Sequence, residues 1–155
     1  MDDFSDILSP RAVGTGLAVQ TKAKLFQQLG QQAAALTGID ADPIVAGIAE
    51  REQLGSTGFG GGIAIPHGKV AGLDRVTGIV VRLAAPIDFR AIDDLPVDLV
   101  FLLLSPLDAG ADHLKALARV SRRLRDRAFV AKLRGAESAD ALYALLATGE
   151  ERHAA

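Results

Sequence analysis

The chain has 155 residues, 49% of them apolar, and its 17 Lys and Arg against 19 Asp and Glu give a net charge of −2 with neutral histidines. This length and apolar content fit one ordinary globular domain and argue against a disordered or fibrous protein. The absence of cysteine excludes disulfides, a thiol nucleophile and thiolate metal sites. Because the slightly acidic balance gives no general attraction to nucleic acid, we expect no nucleic-acid partner.

The first residues and the longest apolar run bear on where the protein works. Asp2, Asp3 and Asp6 make the start acidic, whereas a secretory signal begins with basic residues followed by an apolar stretch. The run from Leu99 to Leu104 is far shorter than the roughly 20 residues that span a bilayer. We therefore expect a cytoplasmic protein without direct membrane insertion, folded as a single domain over residues 1–155 with a frayed tail from about residue 148.

Two helices are predicted in the first third of the chain. Thr21 is suited to the N-cap of the first helix and Gly38 to its end. Between them, apolar residues recur at spacings of three and four: Leu25, Leu29, Ala33 and Leu36. The second helix is predicted to begin with Asp42 as N-cap and Pro43 at the first helical position, and to stop before Gly55.

Three strands are predicted after these helices. Thr77 to Leu83 and Val97 to Leu104 are rich in Val, Ile and Leu and are too short for typical helices, and Ile63 to Ile65 is a shorter candidate. The nearly continuous apolar run within the second of these indicates a strand that is covered on both faces. We therefore predict an α/β domain with a central sheet flanked by helices on both faces.

Three further helices are predicted after Pro106. The first has a single apolar stripe: Leu114, Leu117, Val120 and Leu124. The arginines between positions 119 and 127 fall largely off this stripe, which favours a solvated face over a phosphate-binding patch. Asp126 and Ser138 are predicted to cap the two helices that follow.

The segment from Arg51 to Lys69 carries most of the candidate chemistry. Five glycines fall between Gly55 and Gly62, a pattern that suits a phosphate cradle or a docking surface but also occurs in plain loops. A P-loop requires Lys and then Ser or Thr after Gly60, where this chain has two further glycines. The dinucleotide-binding glycine pattern is also incomplete, so nucleotide binding is not predicted.

His67 lies between Pro66 and Gly68, directly after the short apolar strand. This position predicts an imidazole that is presented outward from a loop. Histidine near its usual pKa of about 6.5 is largely neutral at cytoplasmic pH, and a neutral ring keeps one nitrogen lone pair able to attack phosphorus. The alternative is a structural histidine held by hydrogen bonds.

His113 and Arg51 are the other candidate site residues. His113 is predicted in the first turn of a helix that follows a strand, a place where anions bind, although a solvated histidine is the alternative there. Arg51 precedes the glycine loop, and its guanidinium fork matches phosphate oxygens. His153 lies in the terminal tail and is predicted to be uninvolved.

A metal site is the competing use of these histidines. Asp108 and Asp112 would have to join them, because two histidines without cysteine fall short of a four-ligand site. The spacing of these aspartates does not favour such a site, so we predict no metal and no other cofactor.

The stretch from Leu54 to Lys69 reads Leu-Gly-Ser-Thr-Gly-Phe-Gly-Gly-Gly-Ile-Ala-Ile-Pro-His-Gly-Lys and resembles the active-site segment of the fructose/mannitol-type IIA components of the bacterial phosphotransferase system. The likeness is greatest for the nitrogen-regulatory branch and continues through Asp112 to Lys115 and on to the last helix. It implies a mixed central β-sheet flanked by helices. It also implies a phosphohistidine carrier that takes its phosphoryl group from a histidine-phosphocarrier protein, either HPr or a nitrogen-type homologue.

Matching positions in this resemblance assign roles to individual residues. His67 corresponds to the phosphorylated histidine, His113 to the second active-site histidine, and Arg51 to the arginine before the loop. Phosphoryl transfer also needs donors on the equatorial oxygens, and the loop supplies backbone N–H groups. The candidate phosphate-binding positions are Ser56, Thr57 and Gly68.

Two loop residues carry separate expectations. Phe59 is predicted to contact a docking partner at the rim of the His67 site, with packing into the core as the alternative. Gly61 stands where the family pattern has asparagine, which removes any side-chain hydrogen bond made at that position.

Three functions remain open at this point. The first is a regulatory phosphocarrier whose partners depend on its phosphorylation state, for which the resemblance implies potassium-transport or sensor-kinase proteins as targets. The second is a sugar-specific IIA transport component, and the third is a binding module that is not phosphorylated. The presence together of His67, His113 and Arg51 argues against the third.

Overall fold

The computed structural model describes residues 4–148, which form a six-stranded mixed sheet with five α-helices. The strands are β1 (Val13–Leu17), β2 (Gly58–Gly60), β3 (Ile63–Ala64), β4 (His67–Val70), β5 (Thr77–Ile87) and β6 (Val97–Pro106). The helices are α1 (Lys22–Thr37), α2 (Ala41–Gln53), α3 (Ala111–Leu124), α4 (Arg127–Gly135) and α5 (Ala139–Thr148), and a short 3-10 turn covers Pro10–Ala12. The predicted α/β class with a mixed central sheet is confirmed.

Strand β6 is the centre of the sheet. The order is β1-β5-β6-β3-β2, and β4 also pairs with β6, beyond β3 along the same edge. β5 runs antiparallel to β6, whereas β3 and β4 run parallel to it. Leu99 to Leu104 are at most 1% exposed, so both faces of β6 are covered, as its continuous apolar run predicts.

Three strands were not predicted from sequence, and two predicted strands are longer than expected. β1, β2 and β4 are short and contain glycine or polar residues, so none of them shows a clear apolar period. Each is a strand because a neighbour supplies its hydrogen bonds. β5 extends to Ile87 and β6 to Pro106, beyond the predicted ends at Leu83 and Leu104.

Most predicted helix caps are confirmed. The Thr21 side chain accepts the N–H of Lys24, and Gly38 ends α1 in the left-handed region with φ of 77°. Asp126 accepts two N–H groups at the start of α4, and the Ser138 hydroxyl accepts the N–H of Ala141 in α5. These caps are local, which is why sequence alone predicts them.

Two helix predictions are wrong in detail. α2 begins at Ala41 after Asp40, so Pro43 is its third residue, where an N–H has no partner within the helix in any case. In α3, Leu114 is 66% exposed, and the buried face consists of His113, Ala116, Val120 and Leu124. The predicted stripe counted Leu114 as core because the burial of a histidine was not anticipated.

Two remaining expectations concern the ends of the chain and membranes. The predicted frayed tail and His153 lie outside residues 4–148. No helix within that range is long and apolar enough to cross a bilayer.

Candidate active site

His67 opens strand β4, opposite Leu103 of β6, and is half-buried. The expectation of a loop residue is therefore corrected, because the backbone of His67 belongs to β4 and pairs with β6. The outward presentation of its ring stays a prediction. Its Nδ1 lies 2.8 Å from the carbonyl oxygen of Ile65, and its Nε2 lies 3.1 Å from Nε of Arg51.

These two contacts fix where the proton of His67 resides. Arginine keeps its protons, so the Arg51 Nε–H donates and Nε2 of His67 must accept with a lone pair. The proton therefore sits on Nδ1 and is donated to the carbonyl of Ile65. His67 is a neutral imidazole with its lone pair on the nitrogen that faces Arg51.

Arg51 reaches the site because α2 packs closely on β4. A Cβ atom on Gly68 would lie 3.3 Å from the backbone of Gly47, so a glycine at position 68 permits the helix to approach the strand. Arg51 is one helical turn beyond Gly47 and therefore projects over His67. The arginine is held further by the bond of its Nη1 to the carbonyl of Gly55, 3.0 Å away.

His113 lies in the first turn of α3, as predicted, with its ring centroid 5.6 Å from that of His67. It is 9% exposed, so it is not the solvated histidine of the alternative reading. Its Nδ1 lies 2.6 Å from the hydroxyl of Ser105, which is fully buried. Among residues 4–148, Nδ1 of His113 is the one hydrogen-bond partner of the Ser105 hydroxyl. The buried hydroxyl proton is therefore satisfied by donation to Nδ1, and the proton of the neutral His113 ring then lies on Nε2.

Both histidines are held neutral by their surroundings. Burial lowers the pKa of His67, an effect that the Ile65 carbonyl and Glu52 oppose and that the charge of Arg51 reinforces. Burial also lowers the pKa of His113; a positive charge on His67, were that ring protonated, and the charge of Lys69 act in the same direction. Neutral rings are the form that a nitrogen nucleophile and a neutral N–H donor require at neutral pH.

The three predicted phosphate-binding positions are already engaged in this structure. Both the N–H and the hydroxyl of Thr57 bond to the carboxylate of Glu52. The Ser56 hydroxyl accepts the N–H of Gly58 at 3.1 Å and lies 3.4 Å from a backbone carbonyl. Gly68 lies against the backbone of Gly47. Their contacts support the shape of the loop, and phosphate binding by them stays a prediction.

Phe59 is not at the rim of the His67 site, which corrects the expectation made for it. Its ring is partly buried against the core and lies 5.9 Å from the guanidinium of Arg125, just beyond the C-terminal end of α3. His113 is at the other end of that helix, and the helical rise puts about 17 Å between His113 and Leu124 along the axis. Phe59 lies in β2, the strand at one edge of the sheet, and a linear motif does not indicate that position.

Sequence reasoning missed several residues around the site. Glu52 and Ser105 contact the loop and His113, and no motif distinguishes them from ordinary polar positions. Large exposed apolar side chains also follow Arg51, Ser105 and His113 within a few residues. They are Leu54 at 82%, Leu107 at 62% and Leu114 at 66% exposure. Placing His113 on the buried face of α3 would have predicted the exposure of Leu114.

The histidines do not belong to a cluster of metal-ligand residues. Across the part of the chain that the structure describes, no three His, Cys, Asp or Glu side chains gather as a metal site would require. Asp108 and Asp112, the aspartates considered for such a site, are therefore not brought together with His67 and His113 as ligands.

This chain is similar in sequence and in fold to known proteins. The chain matches the family described as "Phosphoenolpyruvate-dependent sugar phosphotransferase system, EIIA 2" over residues 6–149. A protein of Bradyrhizobium diazoefficiens named nitrogen regulatory protein is 48% identical over 93% of this chain and 94% of its own length. A protein of the same name from Escherichia coli K12 is 37% identical over 95% of this chain and 91% of its own length. The crystal structure of nitrogen regulatory protein IIA-Ntr from Neisseria meningitidis is similar with a TM-score of 0.83 and 32% identity, over 92% of this chain and 97% of that one.

Proposed function

Since the chain belongs to the EIIA 2 family of the phosphoenolpyruvate-dependent sugar phosphotransferase system and is a phosphocarrier of that system, we propose that it carries the phosphoryl group on Nε2 of His67. The observation that supports this most directly is the pair of contacts on the His67 ring. Nδ1–H is bonded to Ile65, and the Nε2 lone pair faces Arg51 at 3.1 Å. A neutral imidazole in this tautomer is a nitrogen nucleophile that needs no separate base.

The proposed step exchanges one N–P bond for another. The lone pair of His67 Nε2 attacks the phosphorus of a phosphohistidine on the donor protein, and the donor's N–P electron pair returns to its own ring nitrogen. The ring of His67 gains positive character as the new bond forms. Its Nδ1–H stays bonded to the carbonyl of Ile65, and this bond strengthens as the ring becomes more acidic.

Arg51 and His113 are proposed to stabilise the transferring group. Arg51 gives up its contact with Nε2 and turns its N–H donors to the phosphoryl oxygens, for which its fork is well matched. His113 presents Nε2–H to the same group, since its Nδ1 is bonded to Ser105. Replacement of His113 by alanine should slow transfer by about 10²-fold or more, the scale of losing one preorganised donor.

The donor is proposed to be a histidine-phosphocarrier protein, HPr or a nitrogen-type homologue, acting in the cytoplasm. Docking must bring two histidines together, so it needs an apolar surface around His67. The exposed Leu54, Leu107 and Leu114 are the candidates for this surface in place of Phe59.

A regulatory role is proposed from the names of the relatives, which are nitrogen regulatory proteins. A phosphoryl group adds up to about two negative charges beside Arg51 and His113, which changes the partners that this surface fits. Potassium-transport or sensor-kinase proteins are the proposed kind of target.

The test is the intact mass after incubation with phosphoenolpyruvate, the first phosphotransferase enzyme and its phosphocarrier. The wild type should gain one phosphoryl group, His67→Ala none, and the matched control His153→Ala one. Phosphorus NMR of the product should report substitution on Nε2. An unmodified wild type would favour the binding module, and passage of the phosphoryl group to a sugar-specific IIB protein would favour the transport component.

A further inference from the structure

Glu52 has a buried carboxylate that no part of the proposed reaction uses directly. Its side chain is 7% exposed, and its Oε2 lies 2.9 Å from Nζ of Lys22. The same carboxylate accepts the backbone N–H of Thr57 at 3.0 Å and the Thr57 hydroxyl at 2.6 Å. A carboxylate removed from water is costly unless it is paired and hydrogen-bonded, and this one is both.

The contacts continue from Thr57 to the ring of His67. The carbonyl of Thr57 accepts the N–H of Ile65 at 3.0 Å. The carbonyl of Ile65 in turn accepts Nδ1–H of His67 at 2.8 Å. Three successive hydrogen-bonded links therefore connect the Glu52 carboxylate with the nitrogen that carries the His67 proton.

We propose that Glu52 is a positioning residue for phosphoryl transfer, which fixes the Ile65 carbonyl through Thr57 and thereby holds His67 as the Nδ1–H tautomer with its lone pair on Nε2. This inference rests on the proposed function of His67. Arg51 contacts Nε2 directly, so consecutive residues of α2 act on the two nitrogens of one ring.

Lys22 holds the Glu52 side chain in place through their ion pair, with 2.9 Å between Nζ and Oε2. It extends from α1, and its Nζ also lies 4.2 Å from the ring centre of Phe89, a fully buried side chain. The ammonium group is thus held between a carboxylate and an aromatic face. Because α1 packs into the core, Lys22 holds the Glu52 carboxylate in a fixed position. The glycine-rich loop alone would not fix it.

The proposal is tested with Glu52→Gln, which keeps the size of the side chain and removes its charge. Thr57→Val removes the hydroxyl that bonds to Glu52, and Glu50→Gln is the matched control, because Glu50 is an exposed residue on the same helix. Three measurements are needed: imidazole ¹⁵N NMR of unphosphorylated His67, the rate of phosphoryl transfer against phosphocarrier concentration, and the free energy of unfolding.

We expect Glu52→Gln to move the His67 ¹⁵N shifts towards a mixture of tautomers. The rate at saturating phosphocarrier should fall by about tenfold to 10²-fold, the scale of a misplaced reacting group, while the half-saturating concentration changes by less than about twofold. Thr57→Val should show the same pattern with a smaller rate loss. Glu50→Gln should match the wild type in all three measurements.

The proposal is overturned if folded Glu52→Gln keeps the wild-type ¹⁵N shifts and the wild-type rate at saturation, whatever its stability. If the single variant does not fold, the double variant Lys22→Met/Glu52→Gln, which leaves neither charge unpaired, replaces it under the same criteria. A wild type that is not phosphorylated on His67 would overturn the proposed function instead. The NMR comparison of unphosphorylated protein separates that failure from a failure of Glu52 to position the ring.

Discussion

The hydroxyl of Ser105 lies 2.6 Å from Nδ1 of His113, inside an otherwise apolar stretch of β6. It sets the proton of His113 on Nε2, whereas the carbonyl of Ile65 sets the proton of His67 on Nδ1. The two rings, 5.6 Å apart, therefore carry their protons on opposite nitrogens. In the proposed transfer, His67 offers its lone pair and His113 offers an N–H donor to the same phosphoryl group.

Ser105→Ala should weaken this arrangement. The change leaves Nδ1 of His113 without its partner, so we expect a loss of about 1 kcal/mol in unfolding free energy and about a fivefold slower transfer at saturating phosphocarrier. Imidazole ¹⁵N NMR should show His113 in two tautomers. A variant with a single His113 tautomer and the wild-type rate would contradict the assignment of the hydroxyl as donor.

The pH dependence follows from the lowered pKa of both histidines. Burial keeps the native pKa of each below the usual 6.5, so at a pH slightly under 6.5 the unfolded chain binds protons that the native protein does not. The stability of the native state is then fully present above that pH and declines as the pH falls towards the lowered native values. The rate of phosphoryl acceptance should also fall at acid pH, and the midpoint of that fall should lie below pH 6.5.

Urea unfolding and transfer rates measured between about pH 8 and pH 5 check both statements. His67→Gln should remove part of the pH dependence of stability, because the buried titrating ring is gone. An acid limb centred at or above the ordinary histidine pKa would show that burial does not control the protonation of His67.

Gly68→Ala should push α2 away from β4 by a few tenths of an ångström. The new Cβ would lie 3.3 Å from the backbone of Gly47, so the helix must move to accommodate it, at a cost of about 1–3 kcal/mol. Transfer should slow as well, because Arg51 moves with the helix. Gly135→Ala is the matched control, since an added Cβ there has nothing within 4 Å. Equal stability of the two variants would exclude the close approach at Gly68.

Leu114 and Phe59 should respond differently to truncation. Leu114→Ala removes an exposed side chain next to His113, so the half-saturating phosphocarrier concentration should rise several-fold while stability stays within about 0.5 kcal/mol of the wild type. Phe59→Ala should lose about 1–3 kcal/mol of stability with unchanged transfer in the folded fraction. If Phe59→Ala instead kept the wild-type stability and raised the half-saturating phosphocarrier concentration, Phe59 would belong to the docking surface.

The parts of the fold that sequence predicted are those specified by local interactions. Thr21, Asp126 and Ser138 cap helices through bonds to residues two or three positions away, and β6 is recognisable by its own apolar run. β1 and β4 were missed because their strand character comes from partners distant in the chain. β2 pairs with the neighbouring β3, but its sequence Gly-Phe-Gly has no apolar period by which a strand is predicted.

The site was predictable only in part for the same reason. His67, His113 and Arg51 follow from the motif, and the structure brings all three together. The contact between Glu52 and Thr57 depends on how the glycine loop folds back on α2, which no spacing specifies. The position of Phe59 depends on the place of β2 at the sheet edge, so the motif gave the wrong neighbour for its ring.

The parallel pairing of His67 with Leu103 also affects when the site forms during folding. Parallel strands that are far apart in the chain pair late, because a large loop must close before their hydrogen bonds form. His67, Arg51 and His113 meet only after β4 has joined β6 and α2 has settled on β4. Acquisition of phosphoryl-acceptor activity should therefore follow secondary structure formation during refolding, so that a newly made chain enters the phosphoryl relay only once its sheet is complete.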